Sequence, residues 1–155
     1  MQNLEILPLT QSDIKNAAAI WLESSIKAHS FIPAGYWQSK AEEIKNIWLP
    51  ASESWVLRSG KQIFGFYSLV GNRLAALFLL PSEQGKGFGK KLLEHAKMQR
   101  PKLTLSVYKE NESAYQFYLS QGFKVTGKQP DEHTGHLEYI MRSDGFLDCQ
   151  TGSQD

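Results

Sequence analysis

Apolar residues recur along this chain with two periods, near two and near 3.6, and the changes between them mark out its elements. Leu4, Ile6 and the Leu7-Pro8-Leu9 turn predict a short first strand. Ile14, Ala17, Ala18, Trp21, Leu22 and Ser25 then fall on one face at helical spacing. Thr10, with Asp13 three residues on, supplies a capping arrangement for that helix. Pro33 and Gly35 interrupt the pattern between residues 29 and 35, which therefore read as a loop. Trp37, Ala41, Ile44 and Trp48 resume the helical period until Pro50, which lacks the N–H needed to continue it.

The next third of the chain changes period. Residues 54–58 and 63–70 read as two strands joined by Ser59-Gly60-Lys61. Leu74 to Leu80 is a continuous apolar run ended by Pro81, which predicts a strand covered on both faces and central in its sheet. From Gly85 the pattern is helical, with Phe88, Leu92, Leu93 and Ala96 inward and Lys86, Lys90, Lys91 and Glu94 outward, until Pro101. Leu103, Leu105 and Val107 alternate with Thr104 and Ser106 as a strand. A helix from about Asn111 carries Ala114, Phe117, Tyr118 and Gln121 on one face and ends at Gly122. Residues 123–126 and 137–141 read as closing strands around a polar loop with Asp131, Glu132, His133 and His136, and residues 143–155 as a loose tail. Strand, two helices, three strands, helix, strand, helix and two strands describe a mixed α/β sheet with helices on its faces.

Composition narrows the class. A chain of 155 residues with 41% hydrophobic and 21% charged residues suits one ordinary globular domain. A net charge of +1 and the lack of like-charge blocks argue against a nucleic-acid partner. No apolar run in the sequence reaches the length that spans a bilayer, and the first residues do not read as a signal peptide. The single cysteine, Cys149, allows neither a disulfide framework nor a cysteine-built zinc site within one chain. The expected setting is cytoplasmic.

Candidate chemistry begins at the turn after the apolar strand. Gln84-Gly85-Lys86-Gly87-Phe88-Gly89 links a strand to a helix, a geometry that gathers unpaired backbone N–H groups and the positive end of a helix dipole. Such a point binds phosphate, and Lys86 and Lys90 add charge. A Walker loop would need a hydroxyl residue after Gly89-Lys90, where Lys91 stands. A dinucleotide fingerprint would need glycine at position 90. Gln84, Gly87 and Gly89 instead match the spacing Gln/Arg-x-x-Gly-x-Gly/Ala, and here the chain resembles the GCN5-related N-acetyltransferase (GNAT) family. Residues 111–123, Asn-Glu-Ser-Ala-Tyr-Gln-Phe-Tyr-Leu-Ser-Gln-Gly-Phe, resemble that family's second cofactor segment. Trp21 to Ser25, His29, Phe31-Ile32 and Tyr36-Trp37 are similar to the bacterial YiaC-type branch, which is associated with protein-lysine acetylation.

The resemblance implies a single domain over residues 1–142, with a central mixed, mostly antiparallel sheet of about seven strands flanked by four helices, and a polar tail over 143–155. It implies acetyl-CoA as co-substrate, no metal, and an amine acceptor. A protein lysine is the first expectation for that acceptor, with a small-molecule amine or a protein N-terminus as alternatives. A non-catalytic acyl-CoA-binding module is the competing class, and the state is monomer or homodimer. By the same likeness, Phe78, Leu79 and Leu80 would pair their backbone with the pantetheine arm. Gln84, Gly85, Lys86, Gly87, Phe88, Gly89 and Lys90 would hold the pyrophosphate. Asn111 either touches the cofactor or caps its helix, roles that are compatible. Tyr118 matches the tyrosine that protonates the departing thiolate, although core packing explains it as well.

Chemistry requires more than these groups. A lysine amine, with an ordinary pKa of about 10.4, must lose a proton before it attacks. His29, His133, His136, Glu23 and Glu138 are base candidates, with His29 preferred because the loops that hold it and the later histidines flank the acceptor in the family. His29, Phe31 and Tyr36 are the expected acceptor-binding residues, and Phe31, Tyr36 and Trp37 suggest an aromatic wall. His133 and His136 beside Asp131 and Glu132 are too weakly patterned to predict a metal.

Overall fold

The computed structural model describes residues 3–143, so Cys149 and all of the expected tail but Ser143 lie outside the described residues. Among the described residues the fold is mixed α/β, with a seven-stranded sheet and four helices of nine residues or more. Its contacts group the chain into two compact units, Met1–Ala96 and Lys97–Asp155.

The first unit runs β1 (Leu4–Pro8), a 3-10 turn (Gln11–Asp13), α1 (Ile14–Ala28), α2 (Ala34–Glu43), a π-helical turn (Ile44–Trp48), the single turn α3 (Leu49–Ala51), β2 (Glu53–Ser59), β3 (Gln62–Val70), β4 (Arg73–Leu79) and most of α4 (Phe88–Gln99). Strands β1 to β4 pair in chain order, each antiparallel to the next. Gly60, at φ 59°, makes the tight turn between β2 and β3. Ahead of α1, the Asp13 carboxylate accepts from the Thr10 N–H at 3.0 Å and from its hydroxyl at 2.9 Å. It also pairs with Arg58 at 3.0 Å. Burial alone would raise the Asp13 pKa, but Thr10 and Arg58 outweigh it and hold the carboxyl below its usual range.

Three expectations need correction in this unit. The strand enclosed on both faces is β3, with residues 63–69 all buried, whereas β4 buries only Leu74 and leaves residues 76–79 half-open. An apolar run suggests cover, but this one lies along a strand whose later residues have only part of their surface against protein. Pro50 does not stop the second helix, which continues through Ala51. The π turn before it adds a residue to the helical repeat and rotates the side chains around it, so Trp48, expected on the inward face, is 56% exposed, and Ile47 beside it is 60% exposed. Finally, α4 begins at Phe88 and not at Gly85, because Gly85 and Gly87 hold φ of 80° and 84°, outside the right-handed helix. The inward face of α4 is as expected: Phe88, Leu92, Leu93 and Ala96 are all buried.

The second unit holds β5 (Thr104–Tyr108), α5 (Glu112–Ser120), β6 (Phe123–Pro130) and β7 (Leu137–Ser143), with strand order β5-β7-β6 and antiparallel pairing. Leu103, Leu105 and Val107 are buried. β6 extends four residues past the expected end, because a bulge between Val125 and Gly127 shifts the alternation that marks a strand. Ser143 closes β7 and does not open the tail. Its N–H donates to the Leu103 carbonyl at 3.0 Å, and its Oγ accepts from the Leu103 N–H at 3.1 Å.

Candidate active site

The end of β4 departs from an ordinary strand end. The Leu80 N–H donates to the Phe64 carbonyl at 2.9 Å, while Leu79 stands opposite Gly65. Bonded and non-bonded pairs alternate in an antiparallel ladder, so the N–H and C=O of Leu79 point away from β3. Gly65 is required for this approach, since a Cβ there would lie 2.6 Å from the Phe78 carbonyl oxygen and 2.5 Å from a Leu79 methyl. On its outward side the Leu79 carbonyl accepts a hydrogen bond from the Ser24 hydroxyl of α1 at 2.6 Å. The Gln84 amide approaches the same oxygen at 3.5 Å.

After β4 the chain makes a 3-10 turn, Pro81–Glu83, and then the glycine turn. The open space around Gly85 and Gly87 contains no protein atom within 4 Å of an added Cβ, so positive φ and not crowding demands glycine at both. The Lys91 N–H to Gly87 carbonyl bond, at 3.2 Å, is the first of the α4 ladder. The N–H groups of Phe88, Gly89 and Lys90 therefore have no partner within the helix and sit at the positive end of its dipole. Lys86 is paired with Glu83 at 3.1 Å, and Lys90 is exposed. The Phe88 ring faces the core, stacked on Phe64 at 5.7 Å and 9°, which leaves its backbone as the part available to a ligand. These residues fit a pyrophosphate: open space, aligned donors and local positive charge.

In the second unit Asn111 caps α5, its side chain accepting from the Ala114 N–H at 3.3 Å. Gly122, at φ 92°, follows the end of that helix. Tyr118 is the buried residue of α5 and packs edge-on to Phe123 at 5.6 Å. Burial is the sole cause that pushes its hydroxyl above the ordinary tyrosine range, which itself lies well above neutral pH.

The acceptor candidates of the first unit gather into one aromatic cluster. His29 lies 5.2 Å from Trp37 and 5.8 Å from Phe31 between ring centres, and Tyr36 is edge-on to Trp37 at 5.0 Å. Trp21 meets Trp37 at 5.8 Å. His29 is buried, and desolvation lowers its pKa to about 4, so it is neutral at pH 7 but a weak base. Glu23 is exposed on α1, and Glu138 meets Gln129 at 3.4 Å. His136 binds Glu110 at 2.6 Å through Nδ1, whereas His133 is largely exposed. Between them Asp131 organises the loop, accepting from the Tyr108 hydroxyl, the His133 N–H and the Thr134 hydroxyl. Among the described residues no group of three or more His, Cys, Asp or Glu side chains is placed to hold a metal, and no helix is long and apolar enough to cross a membrane.

The hydrogen bond of Ser24 to Leu79 is a contact that the sequence does not reveal. A serine within a helical pattern has no local signal for a partner that is 55 residues away in the chain.

Comparison with known proteins gives this geometry a family. The profile described as Acetyltransferase (GNAT) domain matches residues 17–143. The peptidyl-lysine N-acetyltransferase YiaC of Escherichia coli K12 is 34% identical over 132 residues, covering 84% of this chain and 90% of that protein. The peptidyl-lysine N-acetyltransferase YjaB of the same organism is 38% identical over 118 residues, 76% of this chain and 80% of that protein. The solution structure of apo-form YjaB from Escherichia coli superposes with a TM-score of 0.81 and 31% identity, covering 90% of this chain and 97% of its own. The PaiA N-acetyltransferase of Thermoplasma acidophilum, solved with coenzyme A, shares the fold at a TM-score of 0.74 and 22% identity, covering 91% and 98%. With a family match over most of its length, the chain belongs to the GNAT acetyltransferases.

Proposed function

We propose that this protein transfers an acetyl group from acetyl-CoA to a lysine amine of a protein, by direct attack in a ternary complex. The observation that carries the reading is the turn from Gln84 to Gly89, with two glycines at positive φ, open space beside them and the unpaired N–H groups of the α4 start. The turn suits the pyrophosphate, and Phe78 to Leu80 suit the pantetheine amides. The family relationship and the names of the relatives YiaC and YjaB support the acceptor class.

Acetyl-CoA supplies the acyl group as a thioester. The acceptor amine loses its proton to water or to a side-chain base, and attack places negative charge on the thioester oxygen. The Leu79 N–H, turned away from β3, is the donor assigned to that charge. Tyr118, a phenol that keeps its proton at neutral pH, gives that proton to the departing sulfur. Asn111 both caps α5 and contributes to the cofactor site, and His29, Phe31 and Tyr36 line the acceptor side. The proposed catalytic domain, expected over residues 1–142, extends through Ser143 at the end of β7 and works in the cytoplasm as monomer or homodimer, without a metal or nucleic acid.

Incubation with acetyl-CoA and a lysine-containing peptide tests this. The expected result is release of free thiol matched by one acetyl group on the lysine. Transfer only to small amines or to peptide N-termini would move the acceptor assignment. Binding of acetyl-CoA with no turnover on any amine would leave a binding module and end the catalytic reading.

A further inference from the structure

We infer that Ser24 is a positioning residue for acetyl transfer, its hydroxyl holding the Leu79 carbonyl so that the neighbouring Leu79 N–H can serve the reacting oxygen. The inference rests on the proposed function, and it concerns a residue with no assigned role in that reading.

The N–H and C=O of Leu79 leave β4 on the same side. That side therefore presents a donor and an acceptor together. An oxygen gaining negative charge is attracted by the N–H and repelled by the carbonyl dipole beside it. The Ser24 hydroxyl, on a residue only 2% exposed, donates to that carbonyl at 2.6 Å and offsets its negative end. The same bond fixes the Leu79–Leu80 peptide from one side, while the Leu80 N–H to Phe64 carbonyl bond, at 2.9 Å, fixes it from the other. Gly65 completes the arrangement by letting β3 approach Leu79 closely. The Gln84 amide, at 3.5 Å from the same oxygen, is at the limit of a hydrogen bond and cannot replace a buried donor. Ser24 reaches the site through the Leu79 backbone, so it acts through Leu79.

Three substitutions separate the proton of Ser24 from its volume. Ser24→Ala removes both, Ser24→Cys keeps the volume with a weak donor, and Ser24→Thr keeps the donor. Steady-state kinetics with acetyl-CoA and a lysine peptide should show kcat lower by about tenfold or more for Ser24→Ala and Ser24→Cys, with KM for acetyl-CoA within about twofold and Ser24→Thr close to wild type. Hydrogen exchange at the Leu80 amide should quicken in Ser24→Ala. An unchanged kcat in Ser24→Ala and Ser24→Cys overturns the inference, as does an equal loss in Ser24→Thr. If the wild-type protein turns over no amine, the proposed function fails. Leu80 exchange then decides the positioning claim alone, and unchanged exchange refutes it.

Discussion

A tyrosine that gives a proton to a thiolate must hold it beforehand, and a phenol does so at neutral pH even without burial. Burial raises its pKa, so the acid form persists through the ordinary phenol range near pH 10. Tyr118→Phe should lower kcat by roughly 10²–10⁴-fold with little change in KM for acetyl-CoA, as read by thiol release. His29 shows the opposite effect of burial. Its folded pKa of about 4 lies below the ordinary 6.5, so between those values the unfolded chain binds more protons than the folded one. Stability from neutral His29 is therefore full above pH 6.5 and is lost as pH falls toward 4, by at most roughly 3 kcal/mol. Thermal unfolding from pH 7 to 4 should show a fall in midpoint that His29→Asn makes shallower. The residue type alone marks His29 as a candidate base. It does not reveal the rings of Phe31 and Trp37 against it, because such contacts are set by the packing of α1 on α2.

At the scale of elements, the turn before α4 has the largest consequence. A residue with a Cβ at position 87 has space but must hold φ near 84°, which costs roughly 1–2 kcal/mol and favours a different turn. Gly87→Ala should weaken CoA binding by about tenfold in calorimetry while α4 remains folded. The ion pair of Asp13 with Arg58 ties the 3-10 turn to β2, and Asp13→Ala should lower stability by about 1–3 kcal/mol at pH 7, checked by denaturant unfolding. The apolar stripes of α1 and α4 are legible in the sequence because burial repeats with the helix. The start of α4 is not, since Gly85 to Gly87 fit helical spacing and only their backbone angles exclude them. Trp48 misleads for a related reason: the π turn changes the period around it, and nothing in the residue types announces that change.

For the molecule as a whole, the order of strands and helices is enough to read a mixed α/β fold, because each element carries its own periodicity. The donor is legible too, since the backbone geometry of a phosphate-binding turn leaves glycines at fixed spacing. The acceptor is much less so. The side chains proposed to line its place, His29, Phe31 and Tyr36, stand at or just after the break in the helical period, and contacts there leave no periodic trace. Ligand linkage tests the donor at this scale: acetyl-CoA or CoA at a hundred times its dissociation constant should stabilise the fold by roughly 2.7 kcal/mol and raise the melting temperature accordingly.

The two hydrogen bonds exchanged by Ser143 and Leu103 make position 143 a latch for everything attached after it. A protein cut after residue 142 would leave both backbone groups of Leu103 without these partners, and one cut after Ser143 would keep them. The shorter protein should unfold at lower denaturant concentration than the longer one. Tags and fusions joined beyond Ser143 start from a fixed strand end, so their linkers can be short without loading the sheet.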